Sequence, residues 1–266
     1  MKHRIDVDYY LRGEQLMPIA EFPKQMASES GLIYEVLRVI NGKALFVEEH
    51  LRRLNISLRL ASKPAYGLQN LASLINKLIV ADAVDNGNLK LLIYIENDAL
   101  IPYLYFIPHR YPTAQQYANG VKTLLQYDIR ALPEVKIADW KVRGRANKLI
   151  DGRGVYETLL VNKEGEITEG SRSNVFFIRN KELYTAPDKM VLSGITRNKI
   201  IELAEKQHIP IHYEAVKIDD LAKCQAGFIT GTSPGVIQMR SIEDFNCSIN
   251  DSIYRLLLEA YNKLIQ

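Results

Sequence analysis

Cysteine is scarce in this chain, since only Cys224 and Cys247 occur among its 266 residues. Two cysteines in a chain this long do not make a disulfide framework, which excludes the disulfide-stabilised secreted class. The residues that follow Met1 also lack the apolar stretch of a signal peptide. We therefore expect a protein of the reducing cytoplasm.

Long apolar runs and a strong charge imbalance are also absent. No run reaches the roughly 18 apolar residues that a membrane span needs, so we expect no membrane partner. The 34 basic residues nearly balance the 31 acidic ones, and the net charge of +3 gives no reason to expect nucleic acid. The composition, 47% hydrophobic and 24% charged, is typical of a globular protein with one large or two modest domains.

Metal-ligand spacing is missing as well. The nearest pair among the five histidines, His208 and His212, brackets Pro210 and so cannot share one helical turn. We expect no metal site.

The first half of the sequence predicts a small α+β unit. Residues 32–47 are predicted as a hairpin, because apolar stretches flank Asn41-Gly42, the strongest short hairpin signal. Leucines at helical spacing predict a helix over 48–62. The elements predicted after it are a helix over 68–83 and strands near 89–96 and 101–108.

The second half predicts a larger unit of strands and helices. Its predicted strands lie near 121–125, 155–161, 173–178 and 228–230. Its predicted helices cover 142–153, 195–206 and 253–264, and Asn250 or Asp251 would cap the last of them. Proline and polar residues interrupt the periodicity between the halves. We therefore predict domains over 1–112 and 121–266, joined by a linker over 113–120.

Two segments of the second half could carry chemistry. The segment 168–174, Thr-Glu-Gly-Ser-Arg-Ser-Asn, lies between two predicted strands, and Glu169 could bind a cation or polarise a ring nitrogen. The alternative is a turn with a solvated glutamate. The segment 192–197, Leu-Ser-Gly-Ile-Thr-Arg, enters a predicted helix, whose free amides would suit an anion. The alternative there is ordinary capping by Ser193.

Two further segments could bind an anion. The segment 231–235, Gly-Thr-Ser-Pro-Gly, follows a predicted strand, and its small residues would let the backbone approach an oxyanion. The alternative is a tight loop, and the pattern differs from the phosphate loop of nucleotide hydrolases. Arg53 shares a helical face with His50 and Ser57, so it could grip a phosphate at the edge of the core. The alternative is a surface arginine.

The order of these motifs resembles that of one enzyme family. His-x-x-Arg-Leu-x-x-Ser is followed along the chain by a lysine, Glu-Gly-Ser-x-Ser-Asn, Gly-Ile-Thr-Arg and Gly-Thr-Ser. This order resembles the fold-type IV pyridoxal-phosphate enzymes, the aminotransferase class IV family, which includes branched-chain aminotransferase, D-amino-acid aminotransferase and aminodeoxychorismate lyase. The likeness covers residues 30–240. It implies an α+β chain with two α/β domains and the cofactor, pyridoxal 5′-phosphate, in the cleft between them.

The resemblance also implies roles for individual residues. Glu169 would pair with the pyridine nitrogen of the cofactor and keep it protonated, so that the ring can accept electrons. Tyr34 would contact the carboxylate of the substrate, and Arg38 on the same predicted strand is assigned with it to substrate binding. The residues implied for the phosphate site are Arg53, Ile195, Thr196 and Thr232.

The cofactor-binding lysine of the family precedes that glutamate, which leaves Lys136, Lys141 and Lys148 as candidates. Lys136 stands 33 residues before Glu169 (169 − 136) and lies in an extended stretch, where a strand-end amine that points into a cleft loses solvation. Lys148 is predicted to lie on a helix. We therefore assign Lys136 as the catalytic lysine, with Lys141 second.

The activity implied by the resemblance is transfer of an amino group from an amino acid, branched-chain or D-configured, to a 2-keto acid. Glu35 favours an aminotransferase, because the lyases commonly have threonine at that point of the strand. Two alternatives stay open: a lyase that releases pyruvate from aminodeoxychorismate, and a non-catalytic homologue that keeps the cofactor. The family works as homodimers, so we expect a homodimer with only small-molecule ligands.

Overall fold

The computed structural model describes residues 6–23, 26, 31–97, 99–109 and 111–266. The chain forms two compact units, each with its own β-sheet and hydrophobic core. The first unit contains Met1–Tyr111 and Val135–Trp140, and the second contains Pro112–Glu134 and Lys141–Gln266. Among the described residues, no helix is both long and apolar enough to cross a membrane.

The first unit is a six-stranded sheet with two helices. Its strands are β1 (Tyr9–Arg12), β2 (Gln15–Pro18), β3 (Ile33–Ile40), β4 (Lys43–Ala44), β5 (Gly87–Glu96) and β6 (Ala99–Ile107). Its helices are α1 (Val47–Leu60) and α2 (Leu68–Ala81). Neighbouring strands are antiparallel in the order β2-β1-β6-β5-β3-β4. The predicted hairpin over 32–47 and the predicted helix over 48–62 are confirmed.

The turn between β3 and β4 follows from its residue types. Asn41 and Gly42 both have a positive φ, 50° and 71°, which is the backbone conformation that a tight hairpin turn demands. Along β3, odd-numbered residues are buried and even-numbered residues are half-buried. The two faces of the strand therefore meet different surroundings.

One face of this sheet is covered by α1 and α2 and is packed with aliphatic side chains such as Leu37, Leu54 and Leu78. The opposite face carries a separate cluster rich in tyrosine, which we call the aromatic face. The aromatic face comprises Tyr10, Tyr34, Leu92, Tyr94, Tyr103 and Tyr105.

The second unit is built around a larger sheet. Its strands are β7 (Val121–Tyr127), β8 (Glu157–Val161), β9 (Glu166–Gly170), β10 (Asn174–Arg179), β11 (Glu182–Thr185), β12 (Ile211–Tyr213), β13 (Val216–Lys217), β14 (Ala226–Gly231), β15 (Gly235–Ile242) and β16 (Phe245–Asn246). Its helices are α3 (Ala114–Asn119), α4 (Trp140–Arg153), α5 (Ile195–Lys206) and α6 (Ser252–Leu264). The strand order is β12-β11-β10-β14-β15-β7-β8-β9-β13, and β16 pairs with β15.

A ladder pair between Glu169 of β9 and Asn174 of β10 closes part of this sheet on itself. The run β10-β14-β15-β7-β8-β9 thereby becomes a ring. The segment 168–174 contains the turn that closes the ring, so the fold holds Glu169 beside the start of β10.

The segment predicted as a linker, 113–120, has regular structure. Thr113 and Gln116 form a reciprocal capping box at the start of α3, and these residues belong to the second unit. The chain then returns to the first unit over 135–140. There Ile137 bridges Ile33 in antiparallel fashion, so this segment extends the edge of β3.

Candidate active site

Lys136 lies in the extended segment beside β3 and is half-buried. Its amide donates a hydrogen bond to Ser57 Oγ at 3.1 Å, and its carbonyl accepts one from the amide of Tyr34 at 3.2 Å. The Nζ atom lies 4.9 Å from the centroid of the Tyr34 ring. Backbone bonds on both sides of Lys136 therefore fix where the amine is presented. Lys141 and Lys148, in contrast, have exposed side chains on α4.

A buried ion pair lies on the helix-covered face near Lys136. Arg53 on α1 donates to both carboxylate oxygens of Glu35 on β3, through Nε at 2.8 Å and Nη2 at 2.6 Å. His50 Nδ1 lies 2.8 Å from Glu35 Oε2. The predicted shared face of His50, Arg53 and Ser57 is confirmed, since all three are buried. The alternative of a surface arginine at position 53 is wrong.

Electrostatics set the charge state of this cluster. Burial alone would raise the pKa of Glu35, but the charge and hydrogen bonds of Arg53, together with the hydrogen bond of His50, lower it to about 2. Burial lowers the pKa of His50, and the positive charges of Arg53 and Lys136 add to that effect against the opposing influence of Glu35. The cluster thus holds one carboxylate, one guanidinium and a neutral imidazole.

The structure separates the two residues predicted to bind substrate. Both lie on the aromatic-face side of β3, but four residues of strand place Tyr34 and Arg38 roughly 13 Å apart. The guanidinium carbon of Arg38 lies 3.3 Å from the centroid of the Tyr111 ring, which also stacks on His109. Tyr34 contacts Lys136, whereas Arg38 belongs to another cluster at the far end of the strand.

Glu169 is buried in the second unit, near the end of β9, with 3% of its surface exposed. Its Oε1 accepts a hydrogen bond from Arg130 Nη1 at 3.2 Å, and its Oε2 accepts one from the amide of Leu192 at 3.1 Å. The alternative of a turn with a solvated glutamate is therefore wrong. The carboxylate is held by one cation and one backbone amide in a fixed direction.

The start of α5 lies close to that carboxylate. Gly194 is the N-cap residue and has no side chain to accept from the first amides of the helix. Ser193 Oγ accepts instead from the side chain of Asn198 at 3.1 Å. Asn174 Nδ2 donates to the carbonyl of Leu192 at 2.8 Å, and its Oδ1 occupies the space that a Cβ on Gly194 would need. Glu169, Leu192 and the start of α5 are thus fixed to one another.

The loop 231–235 turns β14 into β15, and Thr232 within it is half-buried. In the same loop, the backbone carbonyl of Pro234 accepts a hydrogen bond from the hydroxyl of Tyr117 at 2.7 Å. The loop also matches Gly-x-Ser-x-Gly, but a strand follows it where the nucleophile elbow of a hydrolase has a helix. We therefore assign no nucleophile to Ser233.

Sequence reasoning missed the contacts that several polar side chains make near these residues. They are the half-buried Arg130 and the buried Glu35 and Thr230. Thr230 is fully buried, and among the described residues its hydroxyl has no hydrogen-bond partner. It stands opposite Asn174 in the ladder of β10 and β14, so its side chain lies on the face that Asn174 shares with the start of α5. An isolated threonine within a strand carries no sequence signal for this position.

Glu157 is a further buried carboxylate of the second unit. It accepts hydrogen bonds from Ser171 Oγ at 2.6 Å, Ser173 Oγ at 2.9 Å and the amide of Thr158 at 2.9 Å. The two serines of the segment 168–174 therefore bind Glu157 and hold the turn that follows Glu169.

These groups fit the cofactor that the resemblance implies. The buried carboxylate of Glu169 suits a protonated ring nitrogen, and the first amides of α5 suit a phosphate. The unpartnered hydroxyl of Thr230 is a spare donor on the same side of the sheet. In the first unit, the half-buried amine of Lys136 is a group that could react with the aldehyde of the cofactor. The side chains present are therefore compatible with pyridoxal 5′-phosphate.

Known proteins match this chain over most of its length. The family model for amino-transferase class IV matches residues 32–242. A D-alanine aminotransferase from Bacillus licheniformis is 28% identical over 224 residues, which cover 79% of this chain and 78% of that protein.

Solved structures share the fold. A branched-chain amino acid aminotransferase from Escherichia coli has a TM-score of 0.84 at 18% identity and covers 97% of this chain and 94% of its own. One from Thermobaculum terrenum, solved in its PLP form, has a TM-score of 0.84 at 20% identity, with coverage of 98% and 95%. The predicted α+β architecture of fold-type IV is confirmed.

Proposed function

Because this chain belongs to the amino-transferase class IV family, whose cofactor is pyridoxal 5′-phosphate, we propose that it moves an amino group between an amino acid and a 2-keto acid. The observation that carries this proposal is the burial and fixed orientation of two side chains, a lysine followed along the chain by a glutamate. Lys136 is a half-buried amine with a fixed backbone, and Glu169 is a buried carboxylate aligned by Arg130 and Leu192.

Lys136 has two tasks in this proposal. Its Nζ would hold the cofactor at the aldehyde carbon. The same amine would also act as the general base that takes the proton from the substrate Cα. When bound, pyridoxal phosphate supplies an electron sink for the charge that develops as the Cα–H bond breaks.

Glu169 is assigned to the ring nitrogen. Its carboxylate would accept a hydrogen bond from that nitrogen and favour the protonated ring. Arg130 acts as a positioning residue, because its guanidinium contacts the carboxylate of Glu169 and fixes its orientation.

The phosphate is assigned to the start of α5. The amides of Ile195 and Thr196 would donate to it, and the threonine hydroxyls at 196, 230 and 232 are further candidate donors. Arg53 stays in the proposal as a phosphate ligand, although two of its N–H groups already bind Glu35.

Borohydride reduction tests the central assignment. Reduction of the holoenzyme should fix the mass of the cofactor on the peptide that contains Lys136. Lys136→Ala should lose both the visible absorption of the cofactor and transamination. Lys141→Ala and Lys148→Ala are matched controls and should keep both. A label that maps to either control lysine would overturn the assignment.

A panel of amino donors identifies the substrate and separates the alternatives. Branched-chain amino acids and D-alanine are the first donors to assay with 2-oxoglutarate as acceptor, since the relatives bear those names. Pyruvate release from aminodeoxychorismate without any keto acid would indicate the lyase instead. Bound cofactor without turnover of any donor would indicate the non-catalytic homologue.

A further inference from the structure

Arg197 ends the segment 192–197, and the proposed function leaves it without a task. It lies on the first turn of α5, and only 1% of its surface is exposed. A guanidinium keeps its charge even when it is buried, so it needs hydrogen bonds and a counter-charge in close contact. The groups that Arg197 binds are therefore held in fixed positions beside the helix.

The contacts of Arg197 lie in the stretch that precedes α5. Its Nη1 donates to Asp188 Oδ1 at 2.6 Å, and its Nη2 donates to the carbonyl of Ala186 at 2.9 Å. Its Nε lies 3.4 Å from Thr185 Oγ1. The carboxylate of Asp188 supplies the counter-charge, although its own side chain is 68% exposed. One guanidinium thus binds the end of β11 and the turn after it at three points.

That stretch leads directly to the carboxylate of Glu169. The segment 186–192 begins at the carbonyl that Arg197 binds and ends at Leu192, whose amide donates to Glu169 Oε2 at 3.1 Å. A single 3₁₀ turn, Asp188–Met190, lies between these two points. Arg197 therefore holds one end of a short segment whose other end orients the carboxylate.

The orientation of Glu169 depends on donors to both of its oxygens. Arg130 Nη1 contacts Oε1 at 3.2 Å, and the amide of Leu192 contacts Oε2. A backbone donor is fixed only as firmly as its chain, and Leu192 lies outside the helices and strands. Asn174 Nδ2 holds the carbonyl of Leu192, while Arg197 holds the segment that leads to it.

We propose that Arg197 is a positioning residue for the ring nitrogen of the cofactor, and that it acts by fixing the segment 186–192, whose last amide orients Glu169. This inference rests on the proposed function, because it needs Glu169 beside that nitrogen. The guanidinium binds Ala186 and Asp188 rather than Glu169, so its effect passes through the backbone of the segment.

The test compares two cofactors by equilibrium titration of the full-length apoprotein. One is pyridoxal phosphate, and the other is its 1-deaza analogue, in which carbon replaces the ring nitrogen. The wild type should prefer pyridoxal phosphate by about tenfold or more, as expected for a hydrogen bond to a charged group. Arg197→Met should reduce this preference to about threefold or less, because the carboxylate is no longer held in line. A general loss of stability would weaken both cofactors alike and leave the preference unchanged.

Two milder variants cover the case in which Arg197→Met does not fold. Arg197→Lys keeps the charge but loses the three-point contact, so its preference should fall between those of the wild type and Arg197→Met. Asp188→Asn removes the counter-charge and should lower the preference by a smaller factor. Leu257→Ala is the matched control for stability, because it removes a fully buried side chain of α6 and should leave the preference unchanged.

A wild-type preference in Arg197→Met, or in both milder variants if that one does not fold, would overturn the proposal. An equal fall in Leu257→Ala would also overturn it, since lower stability would then explain the effect. Glu169→Ala separates this result from the proposed function. A preference that survives in Glu169→Ala, or is absent from the wild type, removes Glu169 from the ring nitrogen and overturns both. A preference lost in Glu169→Ala but kept in Arg197→Met overturns the role of Arg197 alone.

Discussion

At the scale of single residues, the carboxylate of Glu35 binds two buried side chains, those of His50 and Arg53. An ionised carboxylate only accepts hydrogen bonds, so the proton between Glu35 and His50 belongs to His50 Nδ1. Arg53 supplies the balancing charge through two parallel bonds. Ser57, on the next turn of α1, binds the amide of Lys136. The cluster therefore connects α1 to β3, and Ser57 connects the same helix to the segment that carries the proposed catalytic lysine.

Removing that charge should be costly. Glu35→Gln keeps the shape but leaves the guanidinium of Arg53 buried without its counter-charge, so we expect the free energy of unfolding to fall by about 3–5 kcal/mol. Urea denaturation followed by circular dichroism measures this. Glu48→Gln, at an exposed position of the same helix, should lower it by less than about 1 kcal/mol. Equal losses in the two variants would contradict the role given to Glu35.

Glu35 also makes the free energy of unfolding depend on pH. The pKa of Glu35 is lowered from 4.5 to about 2 in the folded protein, so the unfolded chain takes up its proton first as the solution is acidified. Its stabilising contribution is complete above about pH 4.5 and is lost towards pH 2. The difference between wild type and Glu35→Gln should therefore shrink over that interval. A difference that stays constant down to pH 2 would show that Glu35 is not ionised in the fold.

Part of this cluster is predictable from sequence and part is not. Helical spacing alone places His50, Arg53 and Ser57 on one face. Their partner does not follow from spacing, because Glu35 lies on a strand and meets Arg53 only through the packing of α1 on β3.

At the scale of elements, the start of α5 depends on the absence of a side chain. Gly194 has φ −70° and ψ 136°, which other residues adopt, so its backbone conformation does not require glycine. The requirement is steric, because Asn174 Oδ1 fills the place of a Cβ. That oxygen belongs to the amide that anchors Leu192, whose own N–H binds Glu169.

Gly194→Ala should therefore disturb the helix start. Asn174 must move to make room, and we expect a loss of about 1–3 kcal/mol in the free energy of unfolding, as for other overpacked sites. The affinity of the apoprotein for pyridoxal phosphate should fall as well. Gly144→Ala is the matched control, since nothing lies within 4 Å of its added Cβ inside α4, and it should stabilise by up to about 1 kcal/mol. Unfolding curves and equilibrium cofactor titration measure both effects, and similar behaviour of the two variants would refute the steric argument.

Helices with a clear apolar stripe were predictable, while several strands were not. Of the two residues predicted to cap α6, Asp251 is the cap, and its side chain accepts a hydrogen bond from the amide of Ile253 at 2.8 Å. The strand β15 escaped prediction because it begins at a glycine and contains Gln238. Gln238 is buried, and its side-chain amide donates to the carbonyls of Tyr117 and Ala118, which lie far away in the sequence. The alternation of apolar and polar residues that predicts a strand does not reveal hydrogen bonds between a polar side chain and residues distant in sequence.

At the scale of the whole molecule, the family relationship and the surface lead to one expectation about assembly. Tyr127, Ile129 and Leu132 are large apolar side chains of one short segment, and all three are exposed in the single chain. Exposed apolar clusters of this kind are typical of protein interfaces. We expect light scattering to give a mass of about twice 30.3 kDa. A mass of one chain that persists at high protein concentration would contradict a homodimer.

The sequence predicts a division into two parts, but it carries no signal for the path that the chain takes between the two compact units. The break in periodicity near residue 112 coincides with the point where the first unit ends for the first time. The return over 135–140 depends on the pairing of Ile137 with Ile33, which no local pattern encodes. Whether the stretches 1–112 and 121–266 act as domains stays a prediction.

The return of the chain over 135–140 constrains how this protein can be made and rearranged. During translation, the segment 135–140 must leave the ribosome before Ile137 can pair with Ile33 at the edge of β3. The first unit therefore completes its folding after part of the second unit has already emerged. A gene truncated at residue 112 would encode a first unit without Lys136. Recombination that exchanges this unit between relatives must therefore transplant two separate stretches of coding sequence together.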